Sequence, residues 1–118
     1  MSNPPISVFE GRGPDPVLDD LDGWRKVEGE PSMKRWRQYV SDDQKLVCAW
    51  WQGMPGVYHA TYNAWEFVHL LEGEIIITPD GDEPRRVAAG DTFIIEKGFS
   101  GTWEIRKQAL KVCTVARI

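Results

Sequence analysis

The chain has 118 residues and a formal net charge of −4, with 27% charged and 42% hydrophobic residues that include six Trp, four Phe and three Tyr. That length suits one domain able to bury roughly two-thirds of its unfolded surface without staples, and the composition excludes a disordered or fibrous chain. The acidic balance argues against a nucleic-acid partner. No apolar run approaches the roughly 20 residues of a membrane span, and the start, MSNPPISVFEGRGPDP, lacks a basic-then-apolar leader, so cytoplasm is the expected location.

Residues 1–30 are rich in Pro, Gly and Asp and follow neither apolar period. An extended N-terminal arm or loops is expected there, with room for one helical turn in PVLDDLDGW. A single domain is expected over 31–118. Its densest basic stretch, Lys34-Arg35-Trp36-Arg37, is too short to reverse the charge argument. From residue 35 onward, β-branched and aromatic segments alternate with turn residues, at 35–40, 45–52, 57–62, 66–71, 74–79, 85–87, 92–95, 101–106 and 110–116. About nine short strands without a competing helical period predict an all-β jelly roll. Cys48 and Cys113 are far apart and have no metal-ligand spacing, so two reduced thiols packed on strands are expected.

Alternation along a strand places Glu66, Val68 and Leu70 on one face and Phe67, His69 and Leu71 on the other; Gly101, Trp103 and Ile105 likewise share a face. Three short motifs carry little. The DGD at 80–82 reads as a hairpin turn, Ser100 lacks a nucleophile elbow, and the Gly98–Gly101 stretch lacks the helix of a phosphate cradle.

The stretch HATYNAWEFVHLLEG, residues 59–73, looks like a metal-binding strand with one ligand removed. Gly53, five residues, His59-Ala60-Thr61, four residues, Glu66, six residues and Gly73 resemble the first cupin motif, with Thr61 where a second histidine belongs. Gly90, five residues, Glu96-Lys97-Gly98, two residues and Gly101 resemble the second motif, without its proline, metal histidine and asparagine. Trp51 before Met54-Pro55-Gly56, Tyr62 to Phe67, Ala89 to Phe93, Lys97 to Glu104 and Leu110-Lys111-Val112 are similar to small single-domain cupins of the (S)-ureidoglycine aminohydrolase cupin-domain type, related to the ethanolamine-utilisation cupin.

The resemblance implies a cupin double-stranded β-helix, that is, a jelly-roll β-barrel, and a homodimer, which the arm and open sheet edges also favour. It leaves His59 and Glu66 as metal ligands. Catalytic zinc sites use three protein ligands, so no cofactor is expected beyond a weakly bound divalent metal. An ionised Glu66 inside the barrel needs a partner; Lys111 is the expected one, with Tyr62 or Tyr58 adding a hydroxyl, while the competing expectation has Lys111 snorkelling to solvent. Trp51 and Trp103 are candidate pocket walls, with Trp103 filling the place of the missing metal histidine. The ligand-binding set is thus Trp51, His59, Tyr62, Glu66, Trp103 and Lys111. If the protein catalyses a reaction, Glu66 is the candidate general base, since burial would raise its pKa. The functional expectation is a small polar metabolite in a metal-free or weakly metallated barrel. The alternatives are a metal-dependent enzyme acting on a nitrogen-containing metabolite, ureidoglycine aminohydrolase-like, and a non-catalytic sensing or accessory module.

Overall fold

The structure is a computed structural model describing residues 3–118. Its strands are β1 Trp24–Glu28, β2 Met33–Val40, β3 Leu46–Gly53, β4 Gly56–Thr61, β5 Trp65–Pro79, β6 Arg85–Ala88, β7 Thr92–Ile95 and β8 Ser100–Ala116. All pairings are antiparallel, and β5 and β8 are each long enough to serve two layers. The C-terminal half of β8 lies between β3 and the N-terminal half of β5, giving the order β2-β3-β8-β5-β7. The N-terminal half of β8 lies between β4 and the C-terminal half of β5, giving β1-β4-β8-β5-β6. The two layers fold over one core, which is the all-β jelly roll expected from the strand spacing.

Glu72-Gly73 and Lys107-Gln108, which fall between the strands expected at 66–71 and 74–79 and at 101–106 and 110–116, lie inside β5 and β8. The β5–β8 register shifts between Leu70 and Glu72, between Glu72 and Glu74, and between Glu74 and Ile75. Gly73 has φ 100°, and a Cβ there would lie 2.6 Å from the Cα of Ala109. Turn-forming residues thus mark a bulge that bends a continuous ribbon, as strands switching layers require. β1 lies within the stretch expected as arm or loop: WRKVE is five residues long and its Pro- and Gly-rich flanks hide it. The PVLDDLDGW segment holds no helical turn, because Val17 exchanges two backbone hydrogen bonds with Arg35, at 2.8 and 3.0 Å.

The core is the inner face of both layers: Tyr58 and Ala60 of β4, Val68, Leu70, Ile75 and Ile77 of β5, Trp103 and Ile105 of β8, with Trp51 and Met33. Tyr58 pairs with Trp103 and Ala60 with Gly101 across β4 and β8. Preceding the first strand, the arm runs along β2. Asn3 Nδ2 donates to the Val40 carbonyl and Gln38 Nε2 to the Arg12 carbonyl, both at 2.9 Å, and the Arg12 guanidinium stacks 5.5 Å from the Trp36 ring centre. An otherwise bare edge is thereby covered by the chain itself. Among the described residues no helix is long and apolar enough to cross a membrane.

Candidate functional site

Period-two alternation delivers Glu66 from β5 and Lys111 from β8 to the inner face, where both are almost completely buried. Lys111 Nζ donates to Glu66 Oε2 at 2.7 Å, and Tyr62 Oη donates to Glu66 Oε1 at 2.8 Å. Each carboxylate oxygen is therefore matched by a donor, the condition for keeping an ion pair out of water. The ammonium also lies 4.7 Å from the ring centres of Trp51 and Trp103 and 5.9 Å from that of Trp24. Three indoles thus form a cage whose ring faces stabilise a cation, and the cation inside is the protein's own lysine.

The cage is itself braced. Trp24 stands 5.0 Å from Trp103 and 6.0 Å from Trp51, and Trp51 Nε1 donates to Met33 Sδ at 3.4 Å. Trp103 Nε1 is buried with no partner among the described residues. Burial, reinforced by the Glu66 carboxylate, pushes the Tyr62 phenol well above its usual range, so Tyr62 acts as a neutral donor. Burial likewise pushes the Cys113 thiol up to about 12, which leaves no thiolate for chemistry near neutrality.

Above the pair opens a cavity of about 610 Å³. Trp24, Trp51, Tyr62, Glu66 and Lys111 line its depth; Val47, Ala49 and Val115 form an apolar wall; and Arg35, Arg37 and Arg117 lie along its lining. On the arm side Tyr58 Oη donates to Asp20 at 2.8 Å, and Lys26 lies 3.7 Å from the same carboxylate.

Of the residues singled out in the sequence, Trp51, Tyr62, Glu66 and Lys111 meet here. Trp103 joins them only as the back of the cage, behind the cavity lining. His59 does not join them. It lies between the inward Tyr58 and Ala60, so its ring points outward, where Nε2 lies 3.1 Å from Asp80 Oδ2. Ser100 Oγ donates to the same oxygen at 2.6 Å. Asp80 is shared by both groups and His59 presents the same nitrogen to Asp80 and Ser100, which is a surface clasp and not a nucleophile relay.

His59 and Glu66 therefore do not converge on one metal site, and the motif spacing misleads because the strand presents its neighbours inward. Nor does Trp103 fill the place of the missing histidine at Gly101. A Cβ at Gly101 would lie 2.8 Å from the Phe99 ring and from the Pro79 Cα, so Phe99 and β5 occupy that space. Trp24 and the three arginines are not among the site residues expected from the sequence. Arg35 and Arg37 stand out there only as part of the densest basic stretch, although their spacing of two puts both on one face of a strand.

Residues 40–112 match the family model of the EutQ-like cupin domain. No curated protein sequence matches the chain. Among solved structures, the chain is similar to a putative ethanolamine utilization protein Q from Salmonella typhimurium, 20% identical over 73% of this chain and 70% of that one, with a TM-score of 0.65. It is similar to an RmlC-like cupin from Shewanella frigidimarina, 16% identical over 99% and 94% of the two chains, with a TM-score of 0.65. It also resembles a protein of unknown function from Pseudomonas syringae pv. tomato, 18% identical over 86% of this chain and 43% of that one, with a TM-score of 0.70. Identities this low speak for a shared fold. With the family model spanning well over half its length, the chain belongs to the EutQ-like cupin domain family.

Proposed function

We propose that this cupin binds a small polar organic molecule in the mouth of its barrel, directly above the Glu66–Lys111 pair. The supporting observation is that an open cavity of about 610 Å³ reaches a buried ion pair set among indoles, each of whose carboxylate oxygens accepts a hydrogen bond. An apolar concavity with a few convergent polar groups is the usual form of a small-molecule site. Trp51 and Trp24 offer ring faces, Lys111 has N–H donors beyond the one that Glu66 accepts, and the oxygens of Glu66 and Tyr62 are acceptors.

The aminohydrolase-like alternative asks more of these residues. A metal on Glu66 would have to displace Lys111 or Tyr62, and His59 stands on the outer surface. A general-base role for Glu66 carries the same requirement, since both its oxygens already accept hydrogen bonds. Binding without turnover, in a sensing or accessory capacity, needs no such rearrangement.

The proposal includes a homodimer. Along the outer face of the β2-β3-β8-β5-β7 layer, Tyr39, Cys48, Thr114, Phe67 and Ile94 form one cross-strand row, with Trp36, Trp50 and Val112 in the next. Phe67 is 42% and Ile94 48% exposed, and a second copy of this face would cover them.

Ligand-observed NMR against a panel of small polar metabolites should return binders whose signal is lost in Lys111→Met. A binder that keeps its affinity in that variant, or no binder at all, would remove the proposal.

A further inference from the structure

Four cationic and four acidic side chains line the cavity, and they are not evenly satisfied. Lys111 is closed by Glu66 in the depth. Asp20 is held by Tyr58 and Lys26 on the arm side. Arg35 donates to the Asp19 carbonyl and feels the carboxylates of Asp19, Asp22 and Asp20. Arg37 and Arg117 remain. Among the described residues neither forms an ion pair, while both line the same opening.

Their placement follows from strand register. Arg35 stands opposite Trp51 and Arg37 opposite Ala49, so both guanidiniums rise from the inner face of β2 beside the apolar wall. Arg117 follows the end of β8, anchored by its backbone N–H to the Lys45 carbonyl at 2.7 Å. The charge of Arg37 helps to lower the Arg35 pKa, behind the larger effect of burial, so the two like charges sit close enough to repel. A bound anion would relieve that repulsion and accept the fork of donors that a guanidinium presents.

Resting on the binding site proposed above, we infer that the ligand is a small organic monocarboxylate, its carboxylate held by Arg37 and Arg117 at the mouth and its hydrocarbon part on Val47, Ala49 and Val115. The apolar wall excludes a ligand that is charged throughout. Asp22, which lines the same opening, offsets part of the positive charge and so favours a singly over a doubly charged anion.

Hexanoate, hexanamide and inorganic phosphate serve as probes, titrated into the full chain by calorimetry. Hexanoate should bind, and more weakly at high salt because Arg37 and Arg117 are exposed. Hexanamide should bind at least about tenfold more weakly, the loss expected when a charge-assisted hydrogen bond is removed, and phosphate, which has no hydrocarbon to lie on the apolar wall, should also bind more weakly than hexanoate. Arg37→Gln and Arg117→Gln should each weaken hexanoate by about the same factor, with the unfolding midpoint unchanged. Equal binding of hexanamide would overturn the anion subsite, and equal binding of phosphate would overturn the preference for a carboxylate. Hexanoate binding that depends on Lys111 but survives both arginine substitutions would overturn this inference and leave the binding site standing. No binding of hexanoate, with binders from the metabolite panel intact, would do the same.

Discussion

A lysine ammonium between indole rings beside one carboxylate makes the inner face depend on charge balance. Removing a single partner of a buried pair costs about 3–5 kcal/mol, because the survivor is left uncompensated, while an apolar replacement of both is often neutral. Lys111→Met alone should therefore lower stability by about that amount, and Glu66→Leu/Lys111→Met should recover most of it, as read from urea unfolding. An equal loss in single and double variants would mean the pair is not coupled. The thiols offer a second check. Burial pushes Cys113 up to about 12, whereas Cys48 is half-buried next to Thr114 on the outer face, so native-state alkylation at pH 8 should spare Cys113 until the chain unfolds and should label Cys48 wherever that face is uncovered, as in Phe67→Lys. On the outer surface, hydrogen bonds from Ser100 and then from His59 hold the Asp80 carboxyl below its ordinary 3.8. The stability this lends is complete above that value and is lost as pH falls through the lowered one. Asp80→Asn should accordingly lower stability at pH 7 and flatten the acid side of the profile, so that variant and parent converge once the pH has fallen below the lowered value.

At the scale of the element, two glycines set the geometry on which the site depends. Gly73 sits at positive φ against the Ala109 backbone, so Gly73→Ala should cost about 1–3 kcal/mol in a thermal or urea melt. Gly53 lies two residues beyond Trp51 on the same face, and a methyl group there would overlap the Trp51 indole and press on Ile105. Gly53→Ala should disturb the cage as well as stability, visible as a change in tryptophan fluorescence that Gly73→Ala does not produce.

Strand content was legible in the sequence wherever alternation ran for several residues, as around Glu66 and Lys111. Strand ends were less so, because Glu72-Gly73 and Lys107-Gln108 have the composition of a turn and act as a bulge. The inward set was legible on β5 and β8. On β4 it was not, because motif spacing favours His59 while the packing of Tyr58 against Trp103 decides which face turns inward. Nothing local links Arg37 with Arg117, since they come to line one cavity only once β2 and β8 flank β3 in one layer.

For the whole molecule, the arm and the outer face of the β2 layer decide what the protein can associate with. Because the arm already occupies the β2 edge, a second copy would meet the apolar rows around Phe67 and Ile94 and not that edge. Phe67→Lys should thus shift the mass in light scattering from dimer to monomer, with little loss of fold because Phe67 projects outward. A monomeric parent protein would remove the homodimer.

Glu66 and Lys111 are 45 residues apart along the chain, and their side chains meet only through the long-range pairing of β5 with β8. Non-local antiparallel pairing of this kind is slow, on the order of milliseconds to seconds. The β2–β3 hairpin alone can bring Met33 to Trp51, but no hairpin of successive strands brings the ammonium to its indoles and its carboxylate. A nascent or partly refolded chain therefore has no recognition surface for a small molecule, and in a refolding experiment the capacity to bind should return with the slowest phase, together with the native tryptophan signal.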